Sequence, residues 1–158
     1  MSTAREVTRG LRLLQDRGVA YEVVPYLYKR KGAGRAADAV GWAERQTITS
    51  LVVQTGAKEL TFALVPADRD LSTRKLGRLL GVKTVNMASV NEAERRTGYK
   101  EGGISPLGSY AALPVVLEET LLAHDRVLIN AGRRGVLVSL SPWDLQELLQ
   151  AEVADIVA

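Results

Sequence analysis

The chain has 158 residues, of which 46% are hydrophobic and 25% are charged, the composition of a soluble globular protein. This length is most simply a single domain, residues 1–158, and it is large enough to bury a hydrophobic core. The absence of cysteine excludes a disulfide framework, a thiolate nucleophile and a thiolate metal site. No apolar run approaches the roughly 18 residues that span a bilayer, and the first ten residues lack the apolar segment of a signal peptide. We therefore expect a cytoplasmic protein without a membrane partner.

The charge balance gives little evidence of a partner, but the distribution of the basic residues is more suggestive. The net charge is only +3, from 21 basic and 18 acidic residues, which alone is weak evidence for nucleic-acid binding. Solvated surface charge is the simpler explanation of any one basic cluster. There are three such clusters: Lys29, Arg30, Lys31 and Arg35; Arg69, Arg74, Lys75, Arg78 and Lys83; and Arg133 with Arg134.

The first part of the chain predicts helices and strands in alternation. A capping box at Thr3–Glu6 predicts a helix that ends at Gly18. A strand, a basic loop and a helix that Gly41 could interrupt are predicted next, over Val19–Tyr26, Lys29–Gly34 and Arg35–Arg45. The apolar runs Ser50–Gln54 and Leu60–Val65 predict a hairpin joined by Thr55–Lys58.

The second part continues the alternation without a regular rhythm or repeat. Ser72 and Gly81 are predicted to bound one helix, Ser89–Glu92 is a second capping box, and Ser141 with Pro142 begins the last helix. Strands are predicted over Val82–Met87, Leu113–Leu117, Arg126–Asn130 and Val136–Leu140. The pattern favours an α/β fold of the α+β type, in which a mixed, largely antiparallel, barrel-like twisted sheet is surrounded by helices.

The segment from Thr97 to Gly108, TGYKEGGISPLG, is the most informative part of the sequence, and we call it the glycine loop. Four glycines and one proline within twelve residues exclude the interior of an ordinary helix or strand. Such a loop lets a ligand approach the main chain and can present N–H donors to an anion or to a developing oxyanion. The alternative is that it is only a tight connection between two elements.

Several familiar catalytic sets are missing from the chain. His124 is the only histidine, and its polar surroundings predict an exposed turn, which argues against a histidine metal site or a Ser–His–Asp set. The glycine spacing matches neither a P-loop nor a dinucleotide-binding fingerprint. We therefore expect no metal and no cofactor, and any catalysis would depend on backbone donors and a bound water or substrate group.

Seven segments occur in a specific order: AADAVG (36–41), SLVV (50–53), ALVPADRDLSTRKL (63–76), TGYKEGGISPLG (97–108), LPVVLEE (113–119), NAGRRG (130–135) and LSPWDL (140–145). Together they resemble the YbaK/EbsC family, the free-standing relatives of the editing domain of bacterial prolyl-tRNA synthetase. Any one motif is weak, but the ordered set is specific.

The resemblance implies a trans-editing hydrolase that deacylates mischarged tRNA, typically tRNA(Pro) carrying Ala or Cys. Such editing is needed because a synthetase pocket rejects a small apolar side chain by only about 1–3 kcal/mol. The implied partners are the acceptor end of an aminoacylated tRNA, whose phosphates the basic clusters would contact, and prolyl-tRNA synthetase. Two alternatives stay open: a non-catalytic module of the same fold that binds the aminoacylated tRNA end, and a hydrolase that acts on a small aminoacyl or acyl ester without nucleic acid.

The resemblance also implies a site. The glycine loop would present amides to the aminoacyl carbonyl, and Ile104 and Pro106 would limit the size of the pocket. The implied catalytic residues are Gly102, Gly103, Ile104 and Ser105. The implied substrate-binding residues are Tyr26, Thr49, Ser50, Thr97, Gly98, Pro106, Asn130 and Gly132.

The chain departs from the family pattern at three places. Thr49 stands where family members usually carry a lysine, Val136-Leu137 replaces the common Leu-Asp, and Asn130 replaces a residue that is often serine. A lysine would add a charge-assisted contact to the substrate, whereas a threonine hydroxyl offers a neutral one. The sequence therefore predicts a polar pocket without lysine that favours a substrate larger or more polar than alanine.

Overall fold

The computed structural model describes residues 7–29 and 32–158, so the predicted capping box at Thr3–Glu6 lies outside the described residues. The helices in these ranges are α1 Arg9–Asp16, α2 Ala33–Val40, α3 Thr73–Leu80, α4 Val90–Thr97 and α5 Pro142–Leu149. The strands are β1 Glu22–Pro25, β2 Ile48–Gln54, β3 Leu60–Pro66, β4 Asn86–Met87, β5 Val115–Glu118, β6 Val127–Arg133, β7 Val136–Leu140 and β8 Glu152–Ala154. None of these helices has the length and apolar character needed to cross a membrane.

Most helix ends lie where the sequence predicts them. The side chains of Ser72, Ser89 and Ser141 each accept a hydrogen bond from a main-chain N–H in the first turn of α3, α4 and α5. The helix predicted over Arg35–Arg45 is wrong at both ends, since α2 begins earlier and ends at Val40. Gly41 adopts the left-handed conformation (φ 75°), which terminates the helix there.

The strands form two sheets. A three-stranded sheet has the order β1-β7-β6, and a five-stranded sheet has the order β4-β2-β3-β5-β8. The β3–β5 and β5–β8 pairs are parallel and the other four pairs are antiparallel, including the predicted β2–β3 hairpin. One parallel bridge between Thr47 and Leu128 connects the sheets. The predicted mixed, largely antiparallel fold with surrounding helices is confirmed.

The edge strands are shorter than the sequence predicts. The predicted strands Val19–Tyr26 and Val82–Met87 are wrong in length, because only Glu22–Pro25 and Asn86–Met87 pair. Both β1 and β4 lie at the edge of a sheet and have one neighbouring strand each, so their extended flanks have no ladder to join. Apolar runs indicate extended chain, but they do not show where a partner strand stops.

The side chains of β2 alternate between two hydrophobic clusters, one on each face of the strand. Ile48 and Val52 pack in the main core between the sheets, whereas Leu51 and Val53 face a second cluster that includes Leu76 of α3. Because side chains of a strand alternate between its faces, Ser50 shares the inner face with Ile48 and Val52. The sheet thus presents a hydroxyl at a position that a core leucine or valine would otherwise occupy.

The edge of β2 that faces away from β3 is only partly paired. The carbonyl of Val52 accepts a hydrogen bond from Ala88, so the main-chain groups of Val52 point away from β3. Residues opposite each other in an antiparallel pair alternate between bonded and non-bonded positions, and therefore the main-chain N–H and C=O of Ser50 point the same way. Between the Thr47–Leu128 bridge and β4, β2 and β6 diverge and a cleft opens.

Candidate active site

The main cleft is a cavity of about 500 Å³ at the divergence of β2 and β6, bordered by the glycine loop, α2 and α4. This volume lies in the range of small-molecule sites. Most of its walls are apolar, so the prediction of a polar pocket gives way to an apolar cleft with a few polar groups. The apolar residues of the lining are Ala36, Ile48, Leu51, Val52, Met87, Ala88, Val90, Ala93, Ile104 and Leu137.

The structure brings half of the sequence-predicted site residues together. Tyr26, Thr49, Ser50, Gly102, Ile104 and Asn130 line the main cleft. The parallel bridge between Thr47 and Leu128 places Thr49 and Asn130, each two residues further along its strand, on the same face. Residues that are far apart in the chain thus converge on one cavity, although the resemblance alone did not show how.

Ser50 has the most informative environment in the cleft. Its hydroxyl oxygen is buried and has no hydrogen-bond partner among the described residues. Leaving a buried hydroxyl without a partner costs about 1–3 kcal/mol, so proteins rarely keep one without a reason. Since the main-chain N–H of the same residue also points away from β3, Ser50 offers two polar groups on one side of β2.

The glycine loop offers two further donors. Gly102 and Ile104 line the main cleft, and within the described ranges their main-chain N–H groups form no hydrogen bond with the protein. Gly103 differs, because it is buried and its N–H donates to the carbonyl of Lys100 at 2.8 Å. The main-chain N–H groups of Gly102 and Ile104 are therefore the candidate donors of the loop at the main cleft, and Gly103 closes the turn between them.

Four other predicted site residues lie outside the lining of the main cleft and shape the loop. Ser105 is fully buried, and its hydroxyl accepts a hydrogen bond at 3.1 Å from the main-chain N–H two residues on. Thr97 is also fully buried, and its hydroxyl donates at 2.7 Å to the carbonyl one turn earlier in α4. Gly98 ends α4 in the left-handed conformation, and Pro106 is buried. The hydroxyls of Ser105 and Thr97 are thus engaged in hydrogen bonds within the protein, and Gly98 and Pro106 shape the backbone of the loop.

Asn130 holds the glycine loop against the turn between β6 and β7. Its Oδ1 accepts hydrogen bonds from the main-chain N–H groups of Gly132 (2.7 Å) and Arg133 (3.2 Å), and its Nδ2 donates to the carbonyl of Gly102 (3.0 Å). The β6–β7 register shifts between Asn130 and Arg133, and the amide spans this irregularity. Asn130 therefore positions Gly102, while Gly132 lies behind the loop.

Among the described residues, two ionisable side chains line the main cleft, those of Tyr26 and Glu101. Burial raises the pKa of the Tyr26 phenol above its ordinary value, so this group is protonated at neutral pH. Glu101 was absent from the sequence-predicted site, although it was visible as one of the ionisable residues of the glycine loop. No group of three His, Asp or Glu residues in the described ranges is arranged to hold a metal ion. His124 is half-buried, outside the lining of the cleft.

A family model described as the aminoacyl-tRNA editing domain matches residues 30–148. This match contains α2, both walls of the main cleft and the glycine loop. The chain therefore belongs to the aminoacyl-tRNA editing domain family, and its assignment to the aminoacyl-tRNA deacylases is confirmed at this level.

Individual relatives agree with this family. EbsC of Enterococcus faecalis, described as a candidate Cys-tRNA(Pro)/Cys-tRNA(Cys) deacylase, is 25% identical and is matched over 96% of this chain and 94% of its own. A crystal structure of a candidate trans-editing enzyme for prolyl-tRNA synthetase is 32% identical, with a TM-score of 0.85 over 95% of both chains. The proline–tRNA ligase of Trichlorobacter lovleyi is 34% identical over 65% of this chain, which spans only 18% of the ligase.

Proposed function

We propose that this protein edits in trans, hydrolysing the ester between tRNA(Pro) and a wrong small amino acid. The observation that carries the proposal is the buried hydroxyl of Ser50, a residue of the apolar cleft, which has no hydrogen-bond partner among the described residues. An aminoacyl ester combines a small side chain, which suits apolar walls, with polar groups that need hydrogen bonds. EbsC and the structural relative, both described as deacylating or editing enzymes, support the same substrate class.

Hydrolysis of the ester requires stabilisation of the negative charge that develops on the carbonyl oxygen. Water attacks the ester carbonyl carbon, and the carbonyl oxygen becomes an oxyanion to which the N–H groups of Gly102 and Ile104 donate. When the tetrahedral intermediate collapses, the bond to the ribose oxygen breaks, and the proton released by the attacking water passes to that oxygen. A second bound water or the neighbouring ribose hydroxyl of the substrate relays this proton. In this proposal the protein contributes the orientation of the substrate and the oxyanion donors.

Selection between amino acids would depend on the size and polarity of the cleft. Ile48, Val52 and Ile104 contribute apolar surface that favours small side chains, and Ser50 and Thr49 offer hydroxyls to a polar one. Correct Pro-tRNA would be excluded by shape, which is the logic of a second sieve. The substrate is made by prolyl-tRNA synthetase, so we expect the protein to act beside that enzyme in the cytoplasm.

The direct test is a deacylation panel in which one tRNA(Pro) is charged in turn with Ala, Cys, Ser, Thr and Pro. We expect release of at least one wrong amino acid well above the uncatalysed rate, and no acceleration with Pro. Absence of release across the panel by folded protein would remove the proposal and favour a module that only binds the tRNA end.

A further inference from the structure

A second cavity, the rear cleft, lies on the other side of the glycine loop. Its volume is about 540 Å³, and its charged residues are Arg9, Lys100, Arg133 and Arg134. No carboxylate belongs to its described lining. Four cations around one concave surface attract an anion more strongly than the same charges scattered over a convex surface would. The sequence showed only Arg133 and Arg134 as neighbours, and the fold adds the other two.

Arg9 is held rigidly at one side of the rear cleft. Its guanidinium lies 4.4 Å from the ring centre of Tyr99 and 4.0 Å from that of Tyr110. It also donates hydrogen bonds to the carbonyls of Gly108 (2.9 Å) and Thr97 (3.0 Å). None of these partners carries a negative charge, so the positive charge of Arg9 is fixed in place but not neutralised by them.

Glycines make this packing possible. A Cβ atom at Gly98 would lie 2.4 Å from the Tyr110 ring and 2.8 Å from the guanidinium of Arg9. A Cβ atom at Gly132, where φ is 104°, would lie 2.6 Å from the Tyr99 ring. Two glycines that the sequence assigned to substrate binding thus allow Arg9 and the tyrosines to pack behind the loop.

The other cations of the rear cleft are exposed. The side chains of Lys100 and Arg133 form no hydrogen bond or ion pair with the rest of the described chain. Arg134 donates from Nε to the carbonyl of Glu101 at 2.6 Å and lies over the Tyr28 ring at 5.1 Å. Lys100 and Arg133 are therefore free to turn toward an anion, while Arg9 and Arg134 are already oriented.

The rear cleft adjoins the main cleft through a single peptide unit. Gly102 lines the main cleft, and the next residue, Gly103, lines the rear cleft. In an aminoacylated tRNA the ester is on the terminal ribose, and the phosphates of the single-stranded 3′ end follow within a few bonds. A strand whose ester reaches Gly102 would carry its phosphates past this loop.

We propose that the rear cleft binds backbone phosphates of the single-stranded 3′ end of tRNA while the ester occupies the main cleft. This proposal rests on the proposed function and assigns the phosphate contacts to one surface. Among basic surfaces of the chain, the cluster on α3 includes the exposed Arg74 and Arg78, but those residues belong to neither cleft. Binding near the ester favours the rear cleft over that cluster.

The test compares two substrates that share the same ester. One is tRNA(Pro) charged with the amino acid that the wild type removes fastest, and the other is the same amino acid esterified to adenosine, which has no phosphate. The double variant Lys100→Gln/Arg133→Gln removes two exposed cations without removing any side-chain hydrogen bond described above. For the tRNA substrate we expect KM to rise roughly tenfold with kcat little changed, since phosphate contacts contribute mainly to binding. For the adenosine ester we expect no change.

Salt dependence gives a second readout. Each contact with a single-stranded phosphate contributes about 0.7 to the slope of log affinity against log salt, so the double variant should lower the slope by about 1.4. The matched control is Arg74→Gln/Arg78→Gln, which removes the same charge from the exposed surface of α3, and it should leave KM and the slope unchanged. An equal loss in both double variants would show a response to net charge and overturn the proposal.

Two further outcomes distinguish failure of the rear-cleft proposal from failure of the proposed function. If the double variant of the rear cleft kept the wild-type KM and salt slope, the rear cleft would not contact the RNA. If the wild type hydrolysed neither substrate, the proposed function would fail before the question of the rear cleft arose.

Discussion

Ser50 and Ser105 carry the same side chain, but the structure gives them opposite environments. Ser105 is fully buried and bonded within the glycine loop, whereas the hydroxyl of Ser50 is buried at the main cleft without a partner. The sequence placed Ser105 among the catalytic residues because it lies in the glycine-rich motif. Ser50 was assigned to substrate binding, and its contacts now make it the stronger candidate for direct contact with a substrate.

Replacing Ser50 tests this difference. We expect Ser50→Ala to lower kcat/KM on the preferred mischarged tRNA on the order of 10- to 100-fold, the value of one well-placed hydrogen bond. The free energy of unfolding should be unchanged or slightly higher, because an unpartnered buried hydroxyl is removed. Deacylation kinetics and chemical denaturation measure the two quantities.

The matched control is Ser105→Ala, which removes an internal hydrogen bond. It should reduce the free energy of unfolding by about 1 kcal/mol and leave deacylation intact. A well-folded Ser105→Ala protein without activity would contradict this assignment and indicate covalent catalysis by Ser105.

Substitutions at Thr49 test the effect of the threonine that stands where family members usually carry a lysine. Thr49 is half-buried, lines the main cleft and shares a face with Asn130. We expect Thr49→Lys to shift preference toward alanine and cysteine, because a cation contributes about 1.5–3 kcal/mol to a charge-assisted contact. Thr49→Val should lower activity on the substrate that the wild type prefers.

The deacylation panel and thermal denaturation of both variants are the measurements. Unchanged activity in two folded variants would mean that position 49 is an ordinary strand residue. Loss of folding in Thr49→Lys alone, with a neutral or stabilised Thr49→Val, would lead to the same conclusion.

At the scale of elements, the sequence predicted helix ends and the hairpin turn well, but it predicted the extent of strand pairing poorly. Serine caps and Gly81 depend on nearby residues and were confirmed, as was the β2–β3 hairpin, whose turn lies within the same segment. The extents of β1 and β4 were wrong because they depend on strands distant in the chain. The rear cleft was unpredictable for the same reason, since it joins α1, the glycine loop and the β6–β7 turn.

The attachment of the glycine loop to the β6–β7 turn is testable through Asn130. Asn130→Ala removes three hydrogen bonds, one to the carbonyl of Gly102 and two from the main-chain N–H groups of Gly132 and Arg133, which together connect the glycine loop to the end of β6. We expect kcat to fall on the order of tenfold, because the proposed oxyanion donors lose their positions, and the free energy of unfolding to fall by about 1–3 kcal/mol. Single-turnover deacylation and denaturation measure both.

Gln54→Ala is the matched control, because this side-chain amide likewise bonds to the main chain of a turn, donating to two carbonyls at 3.1 Å each, but it lies in the β2–β3 hairpin away from both clefts. It should alter stability slightly and activity not at all. If both variants lowered kcat equally, general loosening of the fold rather than loop position would be the cause.

At the scale of the whole molecule, the main cleft exists because two sheets meet at one bridge and then separate. The five-stranded sheet must therefore be stable enough to hold β2 in place while part of its edge is unpaired. The opposite edge of this sheet, the far edge, is formed by β8 and the residues that follow it. Ile156 is fully buried, and its carbonyl accepts a hydrogen bond from Ser72 at the start of α3. The stability of the sheet that carries Ser50 thus depends in part on the attachment of its opposite edge.

Glu118 connects the residues after β8 to the rest of the sheet at this far edge. It is 1% exposed, and its carboxylate accepts hydrogen bonds from the main-chain N–H groups of Ile156 (2.8 Å) and Thr120 (3.1 Å). Glu118→Ala would leave the buried N–H of Ile156 without an acceptor, which costs about 1–3 kcal/mol. We expect a lower free energy of unfolding by this amount in chemical denaturation. Deacylation per folded molecule should be retained, since Glu118 lines neither cleft.

The adjacent Glu119 provides the control, because it is exposed, and Glu119→Ala should change the free energy of unfolding by less than about 0.5 kcal/mol. Equal stability of the two variants would show that the last residues remain attached without the carboxylate of Glu118. A Glu118→Ala protein that stayed folded but lost its activity would instead mean that the far edge of the sheet positions β2, and through β2 the hydroxyl of Ser50.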